Sequence, residues 1–243
     1  MAVPALRCQV EPVVAVVIPA CNEAESLARV LRAIPLNLAQ EIVVSDNGST
    51  DDTIAVARAH GAITVSEPRR GYGYAMWAGL QCVRGRCDIA VMLDGAHKED
   101  PAEMPLVLGP LLNRQADFVL GSRVRYAAAG ALTLPQRLGN QLTAQIMLRL
   151  YGVRVTDLAP FRAIRMTLFD RLEMRERTFG WPAEMIIKAA ICGARISEVD
   201  VHYRPRSAGK SKVSGTLTGS VKAGAVILRT AFKYARWQPR PQT

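Results

Sequence analysis

Short apolar runs alternate with amphipathic stretches through the first two-thirds of the chain, and this alternation restricts the folds open to it. Residues 13–18 form an apolar run that ends at Pro19, which predicts a strand buried on both faces of a sheet. Further strands are predicted over residues 41–45, 62–65, 88–93 and 118–120. Repeated strand–helix units form mainly parallel sheets. The chain is therefore predicted to be an α/β protein with helices on both faces of a mainly parallel sheet.

Local signals mark where the helices between these strands begin and end. Asn22 followed by Glu25 resembles a capping box, which predicts a helix over residues 24–33. Asp51 and Asp52 favour the start of a second helix, and Gly61 can close it. Further helices are predicted up to residue 83 and over 103–113, 137–151, 182–192 and 216–237.

A strand over 195–203 and a polar loop over 204–215 precede the final predicted helix. The sequence has no internal repeat and no long linker. We therefore expect a main domain over residues 1–215, followed by a basic amphipathic helix and tail over 216–243.

Composition excludes several classes of protein. Hydrophobic residues make up 49% of the chain and charged residues 21%, which excludes a disordered protein. No apolar run approaches the ~20 residues of a membrane span, and no signal peptide is recognised. Five cysteines without C-x-x-C spacing argue against a disulfide framework or a zinc site. These features favour a cytoplasmic protein.

Positive charge is concentrated at the end of the chain. The chain has a net charge of +10. Nine of its lysines and arginines lie in residues 201–243, and this segment contains no acidic residue. A basic tail favours an anionic partner, which can be nucleic acid, a phosphorylated substrate or an anionic membrane surface. A solvated terminus is the simpler alternative.

The final helix has an apolar stripe at helical spacing with basic residues beside it. The stripe consists of Leu217, Val221, Ala225, Leu228 and Phe232. Such a helix, ending in Trp237, is typical of one lying in a membrane interface, and equally of a surface helix packed on its own domain.

Polar clusters follow three of the predicted strands, at residues 19–23, 46–51 and 94–100. In an open parallel sheet, ligands bind beyond the carboxyl ends of the strands. Turn chemistry explains any single cluster, but three along one edge predict a pocket for a polar ligand.

Residues 16–23, 41–51 and 93–97 resemble the inverting family 2 glycosyltransferases of GT-A fold, a Rossmann-like fold of nucleotide-diphospho-sugar transferases. Gly-Ser-Arg at 121–123, Arg137 and the segment 206–212 narrow the resemblance to the dolichyl- or polyprenyl-phosphate sugar synthases. The resemblance covers about residues 13–215, and it implies a nucleotide-sugar donor and a lipid-phosphate acceptor.

The resemblance also implies roles for single residues on the donor side. Pro19, Cys21 and Glu23 would line the nucleoside pocket, although this family usually has Tyr where Cys21 stands. Asp46 would accept a hydrogen bond from the base, a role that a carboxylate fits, or it only caps the following helix. Lys98 stands where the family often has Gln, within the donor site.

Four basic residues would bind phosphate groups. Arg123 and Arg137 would hold the acceptor phosphate, and Arg206 and Lys212 the donor diphosphate or the acceptor. Together with Asp94, the residues Arg123, Arg137 and Lys212 would be catalytic. Arg137 can also be an ordinary solvated helix residue.

The metal-binding motif departs from the family pattern. Asp94, Gly95 and Ala96 occupy the Asp-x-Asp motif, which binds the nucleotide and Mg²⁺ or Mn²⁺, and alanine cannot ligate a metal. Three alternatives follow: Glu99 or Asp100 reaches the ion, Asp94 and the diphosphate hold it alone, or the site is impaired. The resemblance thus implies a metal site weakened at position 96.

The function expected from the sequence is transfer of a sugar, with inversion, from a GDP- or UDP-sugar to a polyprenyl or dolichyl phosphate. The protein would lie peripherally on the cytoplasmic face of the membrane, with an oligomeric or membrane partner. A rival, suggested by Ala96, is a non-catalytic protein that binds a nucleotide sugar. Nucleic-acid binding is the weakest hypothesis, because few aromatic residues lie between the basic residues of the loop to stack on bases.

Overall fold

The computed structural model describes residues 11–129, 131, 134–205 and 217–239. Within these residues, the strands are β1 (Val14–Ala20), β2 (Glu41–Asp46), β3 (Ile63–Ser66), β4 (Ile89–Met92), β5 (Phe118–Ala127), β6 (Arg162–Arg165) and β7 (Ile196–Tyr203). The helices are α1 (Ala24–Ala33), α2 (Thr53–Ala59), α3 (Tyr72–Val83), α4 (Met104–Leu112), α5 (Leu134–Tyr151), α6 (Met166–Leu172), α7 (Trp181–Ile191) and α8 (Leu217–Lys233).

The strands form one sheet in the order β3-β2-β1-β4-β6-β5-β7. Strand β1 pairs in parallel with β2 and β4, β2 with β3, and β5 with β7. Only β6 runs antiparallel to its neighbours β4 and β5 in the described sheet. The predicted α/β fold with a mainly parallel sheet is confirmed.

Helices cover both faces of this sheet, as predicted. On one face of the sheet, α1, α2 and α4 pack against the buried side chains that β1, β2 and β4 direct to that face. On the other face lie α3 and the helices of the second half, α5 to α8. The strands of the centre are therefore apolar on both sides, which explains the continuous apolar run of β1.

Two elements escaped the sequence analysis, β6 and α6. Strand β6 reads Arg-Ala-Ile-Arg, so that it carries no apolar run, and the guanidinium of Arg162 is nevertheless buried. A four-residue strand flanked by arginines gives no periodicity signal. The expected end of β5 was also too early, since the strand continues to Ala127.

The predicted capping box at the start of α1 is wrong. The helix begins at Ala24, but its N-cap residue Glu23 makes no capping hydrogen bond, and Asp51 of the next loop accepts from the Ala24 N–H at 3.2 Å. Asn22 adopts a left-handed backbone conformation with φ of 50°. The Asn22 Oδ1 atom instead accepts a hydrogen bond from the Thr50 backbone N–H at 2.7 Å. Asn22 thus joins two neighbouring strand-end loops rather than closing its own helix.

Helix α8 packs against α5 and α7, and it does so with a different face from the predicted apolar stripe. Ala231 and Tyr234 are buried, whereas Ala225 is exposed and Phe232 is 61% exposed. Of the other stripe positions, Leu228 is half-buried, and the side chains of Leu217 and Val221 lie outside the described residues. The division of the chain at residue 215 stays a prediction.

Trp237, just after α8, contacts the domain. Its ring lies 4.7 Å from the ammonium nitrogen of Lys188 in α7. No helix among the described residues is both long and apolar enough to cross a membrane.

Candidate active site

The carboxyl ends of β1, β2 and β4 bring the three predicted polar clusters to one edge of the sheet. Ala20 pairs with Asp46 at the ends of β1 and β2, and Val17 pairs with Met92 near the end of β4. Asp94 follows β4 directly, so that it enters this edge from the third strand. The three polar clusters therefore meet at one edge of the sheet, as the sequence predicted, and their role as a binding site stays a prediction.

Asp46 closes the turn that follows β2. Its Oδ1 atom accepts from the Ser49 backbone N–H at 3.1 Å, and its Oδ2 atom accepts from the Gly48 N–H at 3.1 Å. The residue is almost fully buried. Its carboxylate thus organises the loop, and recognition of a base by Asp46 stays a prediction.

The three donor-side residues after β1 differ in their surroundings. Pro19 is buried within β1, and Glu23 is buried with its Oε2 atom accepting from the Ser26 hydroxyl at 2.9 Å. Cys21 is half-buried, and its Sγ atom lies 2.7 Å from Nη1 of Arg70. Cys21 is therefore the member of this set that reaches a second loop of the site.

That second loop leads into the first turn of α3, over the segment Arg70-Gly-Tyr-Gly-Tyr at 70–74, to which the sequence assigned no function. The Asn47 side chain anchors it by accepting from the Gly71 N–H at 2.9 Å and donating to the Arg69 carbonyl at 2.7 Å. Gly71 has a φ of 151°, and a Cβ there would lie 2.5 Å from the Arg177 carbonyl oxygen. Only glycine fits this position.

A group of charged side chains surrounds Asp94. Burial and the charge of Asp94 raise the pKa of Glu99 to about 7, although Arg123 and Lys98 oppose the shift. Burial, together with the charges of Asp94 and Glu99, raises the pKa of Tyr72, the first residue of α3. Tyr72 is thus a site residue that the sequence analysis missed, and only the neighbouring glycines hinted at it.

The ring of Tyr203, at the end of β7, lies beside two of these cations. The guanidinium carbon of Arg123 is 4.9 Å from the ring centroid, and Nζ of Lys98 is 5.9 Å from it. Both predicted residues thus belong to one cluster with Asp94. Arg162 of β6 lies nearby, and burial lowers its pKa to about 10.

The metal motif itself is poor in ligands. Ala96 is fully buried, and a Cβ on Gly95 would lie 3.3 Å from the Pro19 carbonyl oxygen. In the part of the chain described, no three His, Cys, Asp or Glu side chains come together to hold a metal.

Arg123 is held rigidly by a residue that the sequence analysis did not identify. Its Nε and Nη2 atoms donate to the two carboxylate oxygens of Asp157 at 2.6 and 2.8 Å. Burial would lower the pKa of Arg123, but the Asp157 carboxylate raises it well above its usual value. Asn140 of α5 also donates to Asp157, at 2.6 Å. Because Asp157 lies in a segment without a motif, only the fold could reveal it.

A mainly apolar cavity of about 790 Å³ is lined by Val124 and Thr156, the chain neighbours of Arg123 and Asp157, and by Asn140, which donates to Asp157. It is lined by residues of β5, α5 and the 155–156 segment, among them Val124, Leu138, Leu142, Val155 and Arg137. Arg137 is exposed and faces this cavity rather than the Tyr203 cluster. The remaining predicted phosphate-binding residues, Arg206 and Lys212, lie outside the described residues.

The fold is that of solved sugar-transferring enzymes. The crystal structure of glucosyl-3-phosphoglycerate synthase from Mycobacterium tuberculosis, in complex with Mn²⁺, UDP and glucosyl-3-phosphoglycerate, superposes with a TM-score of 0.71. The two chains are 26% identical, and the match covers 91% of this chain and 80% of that one. The predicted GT-A-like fold is thereby confirmed.

Sequence comparisons lead to the family. The model of glycosyl transferase family 2 matches residues 15–173. An uncharacterised glycosyltransferase of Mycobacterium tuberculosis is 40% identical over 210 residues, covering 86% of this chain and 94% of the relative. A dolichyl-phosphate hexose transferase of Haloferax volcanii is 31% identical over 223 residues, covering 90% and 94%. The chain belongs to glycosyltransferase family 2.

Proposed function

We propose that this glycosyltransferase moves a sugar from a nucleotide-sugar donor to a lipid phosphate, with inversion at the anomeric carbon. The observation that carries the acceptor class is that Asp157, which holds Arg123, also binds Asn140 in the wall of the apolar cavity lined by Leu138 and Leu142. A phosphate bearing a hydrocarbon chain needs both a cation and an apolar surface, at adjacent places. The relative from Haloferax volcanii, whose name states a dolichyl-phosphate substrate, supports this class.

In the proposed reaction, an oxygen of the acceptor phosphate attacks the anomeric carbon. The bond between that carbon and the donor diphosphate breaks as the new bond forms, and the nucleoside diphosphate leaves. Because the acceptor phosphate is already anionic at neutral pH, no strong general base is needed, and positioning and charge stabilisation dominate. A divalent ion, when bound, would offset charge on the departing diphosphate.

Arg123 is suited to positioning the acceptor. Asp157 occupies its Nε and Nη2 atoms, and in the described part of the chain its Nη1 atom makes no hydrogen bond. A guanidinium fixed on one edge presents its remaining N–H groups in one direction, at little cost in side-chain entropy. We assign this free edge to the acceptor phosphate, and Arg137 to the mouth of the apolar cavity.

A soluble phosphorylated acceptor is the second candidate. The structural relative from Mycobacterium tuberculosis was solved with glucosyl-3-phosphoglycerate, whose phosphate-bearing acceptor has no hydrocarbon chain. The two candidates differ in what they require of the apolar cavity, since only the lipid uses it.

Acceptor competition tests the proposal. Donor panels of UDP- and GDP-sugars are combined with undecaprenyl phosphate in detergent, a C15 prenyl phosphate, isopentenyl phosphate and 3-phosphoglycerate. We expect turnover that rises with hydrocarbon length. Preference for 3-phosphoglycerate would favour the soluble acceptor, and saturable donor binding without any turnover would favour a non-catalytic binding protein.

Leu142→Glu places a charge in the apolar cavity, which we expect to raise the KM for the C15 prenyl phosphate at least about tenfold. The matched control is Leu36→Glu, because Leu36 is 71% exposed and lies after α1, away from this cavity. Equal KM values for the two variants would contradict the assignment of the cavity to the lipid chain.

We also propose that α8 brings the site to an anionic membrane surface. Its outer side presents Phe232 with Arg229 and Lys233, all exposed, although Lys233 also pairs with Glu176 at 2.6 Å. Basic and aromatic residues on one exposed side favour such an interface. Co-sedimentation with phosphatidylglycerol vesicles should fall for Phe232→Ser and not for Leu36→Ser. Equal binding of both variants would refute this membrane contact.

A further inference from the structure

We propose that Glu99 supplies the carboxylate that is missing at position 96, and that Glu99 and Asp94 together hold a divalent cation with the donor diphosphate. This inference rests on the proposed use of a nucleotide-sugar donor. It assigns the metal to a pair of residues five positions apart, in place of the Asp-x-Asp spacing of the family.

The first observation is the state of the Glu99 side chain. The residue is 3% exposed, and both carboxylate oxygens are buried without a hydrogen-bond partner in the described part of the chain. A buried carboxylate is costly unless it is paired, hydrogen-bonded or bound to a metal. Within the described residues, both carboxylate oxygens of Glu99 are therefore available to bind a metal ion.

The second observation is the set of charges around Glu99. Asp94, Lys98 and Arg123 are charged residues close to the Glu99 carboxylate. Nε and Nη2 of Arg123, which form one edge of its guanidinium, are bound to Asp157, so this cation is partly engaged elsewhere. Asp94 and the two unpartnered oxygen atoms of Glu99 therefore offer carboxylate ligands, which are the ligands that Mg²⁺ and Mn²⁺ prefer.

The backbone fixes Glu99 in this place. A turn at residues 95–96 and a left-handed φ of 51° at His97 change the direction of the chain between Asp94 and Glu99. Glu99 then pairs with Tyr203 in an isolated antiparallel bridge. The orientation of Glu99 is thus set by β7, on the side of the site where Arg123 contacts the Tyr203 ring.

The other candidate ligand, Asp100, is already engaged. Its Oδ1 atom accepts from the Ala102 N–H at 3.1 Å, and its Oδ2 atom accepts from Nη2 of Arg204 at 2.9 Å. Of the two acidic residues that follow the motif, Glu99 alone therefore has unoccupied oxygen atoms.

Two protein ligands leave most coordination positions of Mg²⁺ or Mn²⁺ to water and to the diphosphate. We therefore expect Mn²⁺ to bind weakly to the protein alone and much more tightly together with a nucleoside diphosphate. This coupling can be measured directly, because the solution EPR signal of aqueous Mn²⁺ is lost when the ion binds to a protein.

The test titrates Mn²⁺ into the full-length protein with UDP or GDP and measures free Mn²⁺ by EPR. Glu99→Gln should weaken Mn²⁺ binding at least about tenfold, since even loss of an outer-shell partner costs roughly 10–100-fold. The matched control is Asp100→Asn, which keeps a cap acceptor at the next position and should bind Mn²⁺ as the unaltered protein does.

Thermal unfolding separates a ligand from a structural residue. Glu99→Gln removes an unpaired buried charge, so its unfolding temperature without metal should equal or exceed that of the unaltered protein. Only the increase produced by Mn²⁺ with nucleotide should disappear. A lower unfolding temperature without metal, with an unchanged increase on adding Mn²⁺, would overturn the proposal.

The remaining outcomes distinguish the metal site from the proposed function. Nucleotide binding that is independent of Mn²⁺ in the unaltered protein would overturn the metal site and leave the glycosyltransferase proposal standing. Binding of neither nucleotide, with or without Mn²⁺, would overturn both.

Discussion

Two buried ion pairs stabilise different regions of the molecule, and they differ in how completely their hydrogen bonds are satisfied. Lys188 and Glu184, in α7, are fully buried with nitrogen and oxygen 2.7 Å apart. Arg123, in the second half of β5, and Asp157, between α5 and β6, form the second pair. The Arg123 side chain is 14% exposed. The first pair is far along the chain from every motif, whereas the second borders the candidate site.

The pair of Lys188 and Glu184 in α7 makes further hydrogen bonds to its neighbours on all sides, and we call it the closed pair. Nζ of Lys188 also donates to the Glu173 carbonyl at 2.8 Å and lies 4.7 Å from the ring of Tyr234. The Glu184 carboxylate accepts from the backbone N–H groups of Arg175 and Glu176 at 2.8 and 2.7 Å. No capacity is left for a ligand, so this pair serves to join α7, the 173–176 segment and α8.

The pair of Arg123 and Asp157, which we call the open pair, has hydrogen-bonding groups of Arg123 that no described residue uses. Asp157 is saturated by Arg123, Asn140 and the Arg123 backbone N–H, but one edge of the guanidinium is left over. A satisfied pair stabilises the fold, whereas a pair with one free edge can bind a ligand. This difference predicts opposite effects of substitution on stability and on turnover.

The largest expected effect is on the closed pair. Lys188→Met leaves the Glu184 carboxylate buried without its cation, which should lower the free energy of unfolding by about 3–5 kcal/mol. Donor affinity should be unchanged at temperatures where the variant is folded. Urea unfolding and calorimetric nucleotide binding measure the two quantities.

The control for this variant is Arg86→Met. Arg86 pairs with Glu41 at 2.7 Å, but its side chain is half exposed, so the expected loss is at most about 1 kcal/mol. Equal losses in the free energy of unfolding for both variants would mean that the burial and hydrogen bonding of the α7 pair add nothing to stability.

The second prediction concerns the open pair. Arg123→Lys keeps the charge but loses the planar bidentate geometry, so product formation should fall about 100-fold, as for removal of one donor that stabilises a transition state. The loss in unfolding free energy should be smaller than for Lys188→Met. Steady-state kinetics and urea unfolding test both statements.

Arg125→Lys is the matched control for Arg123→Lys, because Arg125 lies on the same strand and makes an exposed pair with Asp200 at 3.3 Å. Its product formation should stay close to that of the unaltered protein. A 100-fold loss in both variants would show that the open edge of Arg123 has no special role.

The smallest expected effect is on a third pair, which is open to solvent. Hydrogen bonds from Arg69 lower the pKa of Glu67 to about 2, from an ordinary value of 4.5, although 63% of the Arg69 side chain is exposed. Glu67→Gln should therefore cost only about 1 kcal/mol at pH 7. Because the folded pKa is lowered, this contribution is present above pH 4.5 and is lost as the pH falls towards 2.

Urea unfolding of both proteins at pH 7, 4 and 3 checks the sign. The difference in unfolding free energy between the two proteins should shrink as the pH falls. A constant or growing difference would contradict the lowered pKa of Glu67.

The alternation of apolar runs was sufficient to predict the parallel part of the fold. The strands β1, β2, β3 and β4 and the helices between them agree closely with the predicted ranges. The strands β1, β2 and β4 gave a clear signal because each is buried over four or more consecutive residues. Strand β6 could not be predicted, since its burial comes from its position between β4 and β5 and not from its own residues.

The candidate site divides in the same way. Asp94, Lys98 and Arg123 could be named from motifs, and the fold places them in one charged cluster. Tyr72, Asp157 and Arg162 could not, because each has its effect through contacts with residues distant in the sequence.

The sequence by itself determined the α/β class, the edge of the sheet at which the three polar clusters meet and the resemblance to family 2 glycosyltransferases. These depend on local periodicity and on short motifs, which are properties of neighbouring residues. Only the tertiary structure decided which charges are saturated, since Asp100 meets Arg204, Arg123 meets Asp157, and Glu99 is buried without a hydrogen-bond partner in the described part of the chain. Desolvation and pairing depend on which distant side chains come together, and that is fixed by packing and not by spacing along the chain.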